Sequence, residues 1–301
     1  MKPLAVALAL MAVAAEAAAA TIVHDGKTRQ YLTRRADDAG KAAPALFILH
    51  GGGIGSADQI SRSLAGKGVA PGYIYVFPDG LSNNWNDGRT DSSGALIHDE
   101  DDVGFLSNLA ERLISEGTID RDRIYVAGIS NGGMMAIRLA CERADLFSGI
   151  GVVAAAMQTP FDCRPARPTP ALFIHGDQDE FVTFDGSMPT ARALRDGQDR
   201  GRRLSIPDSL AFWSSVNRCA SADAEIAIPD RAPRDGATAG YRLYQGCAAP
   251  VAFIAVKGGG HTWPGAAQGR LEKRLVGQAS QDFDATHTML AFFETGRIEP
   301  A

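Results

Sequence analysis

Short apolar runs alternate with amphipathic stretches along most of this chain. Ala45–His50 (ALFILH), Ile74–Pro78 (IYVFP), Ile124–Gly128 (IYVAG), Ile150–Ala156, Ala171–His175 (ALFIH) and Val251–Val256 (VAFIAV) are continuous rather than alternating. Strands covered on both faces of a parallel sheet have this pattern. Gln30–Arg34 alternates and reads as an edge strand. Between these runs, Val103–Glu116 places Phe105, Leu106, Leu109 and Leu113 on one helical face. Helices are also expected at Asn131–Arg143, Asp208–Val216 and Phe283–Glu294, with Asp102 and Asp208 as N-caps. The alternation predicts an α/β fold, a mostly parallel doubly wound sheet in a single domain. No linker or internal repeat interrupts it. The polar stretch Asp185–Arg203, with Arg192, Arg195, Arg200, Arg202 and Arg203, reads as a solvated excursion.

The first twenty residues follow a different rule. Lys2 precedes an apolar run from Leu4 to Ala15, and small residues follow to Ala20. This is the pattern of a secretory signal peptide cut near Ala20, leaving a catalytic domain over residues 21–301. The apolar run is shorter than the ~20 residues a membrane span needs. Secretion, periplasmic or extracellular, is the expectation. Cys141, Cys163, Cys219 and Cys247 fit that compartment, and the two sequence-local pairs, Cys141–Cys163 and Cys219–Cys247, are expected. No CxxC spacing suggests zinc. Lys and Arg total 30 against 35 Asp and Glu, a net charge of −5, so the basic footprint of a nucleic-acid binder is missing.

The chemistry concentrates at Gly128-Ile129-Ser130-Asn131-Gly132, between a strand and a helix. A GxSxG in that setting is a nucleophile elbow, with the serine hydroxyl raised above the sheet and free helix N–H groups beside it. A serine needs a base. Of six histidines, His261 in the glycine-lined loop Gly258–Gly265 fits best. The chain order Ser, acid, His points to the loop after Ala171–His175, where Asp177, Asp179 and Glu180 compete. Asp179, on the loop crest, is preferred. Asp177 is expected to bond local backbone N–H groups. His50-Gly51-Gly52-Gly53 matches the HGGG type of oxyanion loop, so the N–H groups of Asn131 and Gly52 are the expected oxyanion donors. A phosphate cradle would need a Lys–Ser/Thr pair after the glycines, and none follows.

Four motifs in order, LHGGGIGSA (49–57), PDGLSNNWNDGR (78–89), GISNGGMMA (128–136) and GGGHTWPG (258–265), together with DVGFL (102–106) and HGDQDEFV (175–182), resemble the secreted poly(3-hydroxybutyrate) depolymerase-like esterases. That α/β-hydrolase family also contains feruloyl and acetylxylan esterases. The resemblance covers nearly all of the chain after residue 20. It implies Ser130 as nucleophile, Asp179 as acid, His261 as base and the same two disulfides, with no metal or organic cofactor. The acid loop departs from the family pattern at Glu180-Phe181 and Thr183-Phe184, and Arg270–Gln281 is unusually basic for it. Trp85 and Trp263 lie in motif loops and are candidate substrate-binding residues, with core packing as the alternative. Trp213 reads as core, while Asp87 and Arg89 are expected to fix their loop by hydrogen bonds.

The expected activity is hydrolysis of hydroxyalkanoate esters through an acyl-enzyme, with feruloyl or acetylxylan esterase as the alternative. A serine peptidase or acyltransferase could use the same residues, with Asp87 or Glu180 holding a substrate amine. A binding protein without activity would be expected to lack one of the three.

Overall fold

The computed structural model describes residues 17–53, 55–89, 100–159, 162–187 and 202–300. Thirteen strands and six α-helices are present among them. The strands are β1 (Ala18–His24), β2 (Lys27–Arg35), β3 (Ala43–Leu49), β4 (Ile74–Pro78), β5 (Ile119–Ile129), β6 (Gly149–Val153), β7 (Gln158–Thr159), β8 (Ala171–Gly176), β9 (Arg202–Arg203), β10 (Ser221–Ala222), β11 (Ile226–Ala227), β12 (Thr238–Gln245) and β13 (Val251–Lys257). The helices are α1 (Ala57–Ser63), α2 (Asp102–Ser115), α3 (Asn131–Glu142), α4 (Ile206–Val216), α5 (Arg270–Val276) and α6 (Ala285–Thr295).

One sheet runs in the order β1-β2-β4-β3-β5-β6-β8-β13-β12-β10, with β11 also on β12. Its centre, β4-β3-β5-β6-β8-β13, is parallel throughout, and the flanks are antiparallel. The apolar runs fill this centre because each strand there is covered on both faces: β3, β4, β6 and β8 bury every residue. Two cores result. One packs α2, α3 and α4 with Phe47, Phe105 and Trp213, and the other packs α1 and α6 with Tyr75, Phe77 and Phe292. Covering both faces makes this a doubly wound α/β sheet.

Several local readings change. Gln30–Arg34 lies in β2, which is not an edge, because β1 pairs with it from Ala18↔Thr33 to His24↔Lys27. β1 takes in Ala18–Ala20, so a cut after Ala20 would shorten it to Thr21–His24; residues 1–16 lie outside the described part. Asp101, not Asp102, caps α2 by accepting from the Gly104 N–H at 2.8 Å. Asp102 is buried instead. Its Oδ1 accepts from Arg29 Nη2 at 2.6 Å, and its Oδ2 accepts from the Asn86 N–H at 2.7 Å. Arg29 also covers the Phe105 ring at 3.8 Å. A buried ion pair of this kind fixes a loop position rather than adding much stability. Ser205, not Asp208, caps α4. Most of the Arg-rich excursion lies outside the described residues; its end, Arg202–Arg203, pairs with β7.

Cys141–Cys163 and Cys219–Cys247 are disulfide-bonded and span 22 and 28 residues. Loops of that length confine the unfolded chain by about 3 kcal/mol each. No helix among the described residues is long and apolar enough to cross a membrane.

Candidate active site

The carboxyl ends of β3, β5, β8 and β13 bring the motif loops together. Ser130 follows β5 and stands at the N-cap position of α3 with φ 57° and ψ −124°. A left-handed serine costs about 1–3 kcal/mol, and the surroundings must hold it there. They do so through the glycines. A Cβ on Gly128 would overlap the Gly132 backbone, and one on Gly132 would overlap the Leu49 and His50 carbonyls. The elbow therefore closes only with glycine at both positions. Asn131 begins α3, where a first-turn N–H has no acceptor within the helix.

The Gly51–Gly53 loop lies directly against this turn. A Cβ on Gly51 would stand 3.5 Å from Ser130 Cβ, and one on Gly52 would stand 3.3 Å from Asn131 Cβ. The two expected oxyanion donors are thus on adjoining backbone. His50 supports them from below: its Nε2 accepts from the Gly80 N–H at 3.0 Å, so its Nδ1 carries the proton, 2.8 Å from the Gly51 carbonyl. Burial lowers the His50 pKa and keeps the ring neutral.

The Asn131 side chain fixes the motif loop of residues 78–89. Its Oδ1 accepts from the Trp85 N–H at 2.7 Å, and its Nδ2 donates to the Trp85 carbonyl at 2.9 Å and to Asp87 Oδ2 at 2.6 Å. Asp87 also accepts from Arg89 Nε at 3.0 Å, so this pair does fix its loop. Gln158 Nε2 adds a bond to the Asp87 carbonyl at 2.5 Å. Sequence reasoning missed Gln158, which lies in no motif.

Asp179 and His261 meet from 82 residues apart: His261 Nδ1 is 2.8 Å from Asp179 Oδ2. The other carboxylate oxygen accepts from the Phe181 and Val182 N–H groups at 2.8 and 2.9 Å. Burial pushes the Asp179 pKa up, but the charge and hydrogen bond of His261, with the Val182 N–H, outweigh it and hold the carboxyl below its ordinary range. His175 lies behind, its Nε2 3.6 Å from the same Oδ2 and donating to the Val182 carbonyl at 2.7 Å. Burial lowers its pKa.

Asp177 does not serve its own turn as expected. It accepts from the Gly258 N–H at 2.7 Å, and the Gln178 N–H donates to the Gly259 carbonyl at 2.9 Å. The loops that carry Asp179 and His261 are thereby sewn together. The His261 loop is held from its other side as well: the Gly260 N–H donates to the Gln278 carbonyl at 3.0 Å and the His261 N–H to the Val276 carbonyl at 2.6 Å.

The two tryptophans are corrected. Trp85 is fully buried, with its indole N–H donating to the His50 carbonyl at 3.0 Å. Trp263 is 4% exposed, and its N–H donates to Thr286 Oγ1 at 3.1 Å. Both rings brace loops and neither is open to a substrate. Trp213 is core. His98 lies outside the described residues.

The fold and this cluster of loops are those of an α/β-hydrolase. The prolyl oligopeptidase family profile matches residues 69–162. "Putative esterase NocK" of Nocardia uniformis subsp. tsuyamanensis is 33% identical over 81% of this chain and 73% of its own length. Feruloyl esterase B of Piromyces equi is 29% identical over 73% of this chain, which spans only 40% of that protein. Probable feruloyl esterase C of Aspergillus niger is 27% identical over 79% of this chain and 78% of its own length. The solved acetyl xylan esterase from Aspergillus awamori shares the fold, with a TM-score of 0.52 at 13% identity over 85% of this chain and 97% of its own. The chain belongs to the α/β-hydrolase esterase family and is a serine carboxylic ester hydrolase.

Proposed function

We propose that Ser130, His261 and Asp179 form the catalytic triad, with the N–H groups of Asn131 and Gly52 as the oxyanion hole. The bond from His261 Nδ1 to Asp179 Oδ2 carries this reading. It fixes the tautomer that leaves Nε2 as the base. Ser130 Oγ attacks the ester carbonyl as Nε2 takes its proton. Negative charge gathers on the carbonyl oxygen beside the two N–H groups. Nε2 then protonates the departing alcohol, and water releases the acyl group from Ser130 by the same route in reverse. Asp179 stays ionised and stabilises the imidazolium, in keeping with its lowered pKa.

The substrate class follows the relatives. The names of two of them, and of the solved neighbour, point to feruloyl or acetyl esters on plant polysaccharide rather than to hydroxybutyrate polymer. That supports the second of the two sequence expectations over the first. Two disulfides and the leader-like first twenty residues support export. Ser130→Ala tests the triad: hydrolysis of p-nitrophenyl acetate is expected to vanish with the melting temperature unchanged, and retained activity would refute it. Methyl ferulate, acetylated xylan, hydroxybutyrate oligomers and a peptide anilide, offered to the native enzyme, test the substrate. Turnover confined to the oligomers would reverse the choice, and turnover of the anilide would favour a peptidase.

A further inference from the structure

Phe181 joins the acid to the base. Its N–H donates to Asp179 Oδ1 at 2.8 Å, and its carbonyl accepts from Arg203 Nη2 at 3.2 Å, so its backbone is held on both sides. Its ring is partly exposed and lies against the His261 imidazole, with centroids 5.1 Å apart and planes tilted by 36°. The other aromatic rings of the motif loops are unavailable: Trp85 is fully buried and Trp263 4% exposed. Phe184 faces inward to His175 and Phe253.

Position and chemistry together give Phe181 a role. Asp179 occupies His261 Nδ1, so protons are exchanged at Nε2. A departing alcohol oxygen must come within about 3 Å of that nitrogen to be protonated. The first atoms of the alcohol therefore pass along the imidazole edge, and a ring packed on the imidazole forms a wall beside them. An aromatic face takes apolar and ring-shaped groups well. We propose that Phe181 is the specificity-determining wall of the alcohol-side subsite, receiving the sugar ring that carries the ester. This rests on the triad reading and extends it: the acyl group lies towards the oxyanion loop, the sugar towards Phe181.

The experiment holds the acyl group constant and varies the alcohol. Methyl ferulate is compared with 5-O-feruloyl arabinose, and in parallel methyl acetate with acetylated xylobiose, on the native enzyme, Phe181→Ala and Phe181→Tyr. Phe181→Ala is expected to lower kcat/KM for the sugar esters about tenfold and for the methyl esters less than twofold, the loss falling mainly in KM. Phe181→Tyr restores it. An equal loss on methyl and sugar esters, with a shifted pH profile, would mean that the ring only positions His261 and would overturn the proposal. So would a loss that follows acyl length among p-nitrophenyl esters. Failure of the triad reading is visible separately, as activity surviving in Ser130→Ala.

Discussion

The corner at Ser130 and the corner at His261 are held in different ways. At Ser130 the backbone does the positioning. A left-handed serine sits between glycines that admit no Cβ, and the oxyanion loop rests on it. At His261 side-chain bonds from Asp179 and Asp177, each across about eighty residues, are added to a close-packed glycine loop, where a Cβ on Gly176 or Gly260 would overlap the Gly259 or Val276 carbonyl. Backbone closeness leaves a sequence signature because only glycine satisfies it. A side-chain bond between distant loops leaves almost none. Each corner nevertheless rests on a buried histidine kept neutral by burial, His50 under the first and His175 behind the second.

The contrast can be broken most severely at His261. His261→Ala should cut kcat on p-nitrophenyl acetate roughly 10^6-fold, and Asp179→Asn roughly 10^4-fold, with little change in thermal stability. Asp177→Ala comes next. Losing the Gly258 tether should lower kcat about tenfold while leaving the fold intact; an unchanged rate would show that the two loops hold together without it. Gly132→Ala acts on stability instead. Its methyl would press on the Leu49 and His50 carbonyls, so urea denaturation should show a loss of about 1–3 kcal/mol.

The smallest expected effect needs no substitution. The pKa values of His50 and His175 are lowered in the fold, so below pH ~6.5 the unfolded chain binds protons that the native state refuses. Stability present above that pH is lost as pH falls, and the urea midpoint at pH 5 should lie below that at pH 7.5. Equal midpoints would mean that neither ring stays neutral.

The parallel strands were legible because burial on both faces demands continuous apolar residues. β12 was not: TAGYRLYQ lies on the antiparallel flank, mostly half-exposed, and has neither a continuous run nor a clean alternation. β1 was hidden because its first residues also read as the end of a leader. Asp101 and Asp102 are equally good caps by residue type, and only the buried Arg29 decides which one turns inward. Trp85 and Trp263 read as pocket residues by their place in motifs, yet each indole N–H found an internal acceptor. Asp179 could be preferred over Asp177 from its position on the loop. What Asp177 does could not be read, because its partner lies 81 residues away.

The clasp on the base loop also sets where the enzyme is vulnerable. Val276 and Gln278 hold His261 and Gly260; Val276 ends α5 and Gln278 follows it closely, and α5 is an outlying helix that carries Arg270, Lys273 and Arg274 and leaves Leu271 70% exposed. A trypsin-like protease nicking that helix would release the grip on the imidazole while both cores and both disulfides stayed whole, extinguishing turnover in a molecule that is still folded.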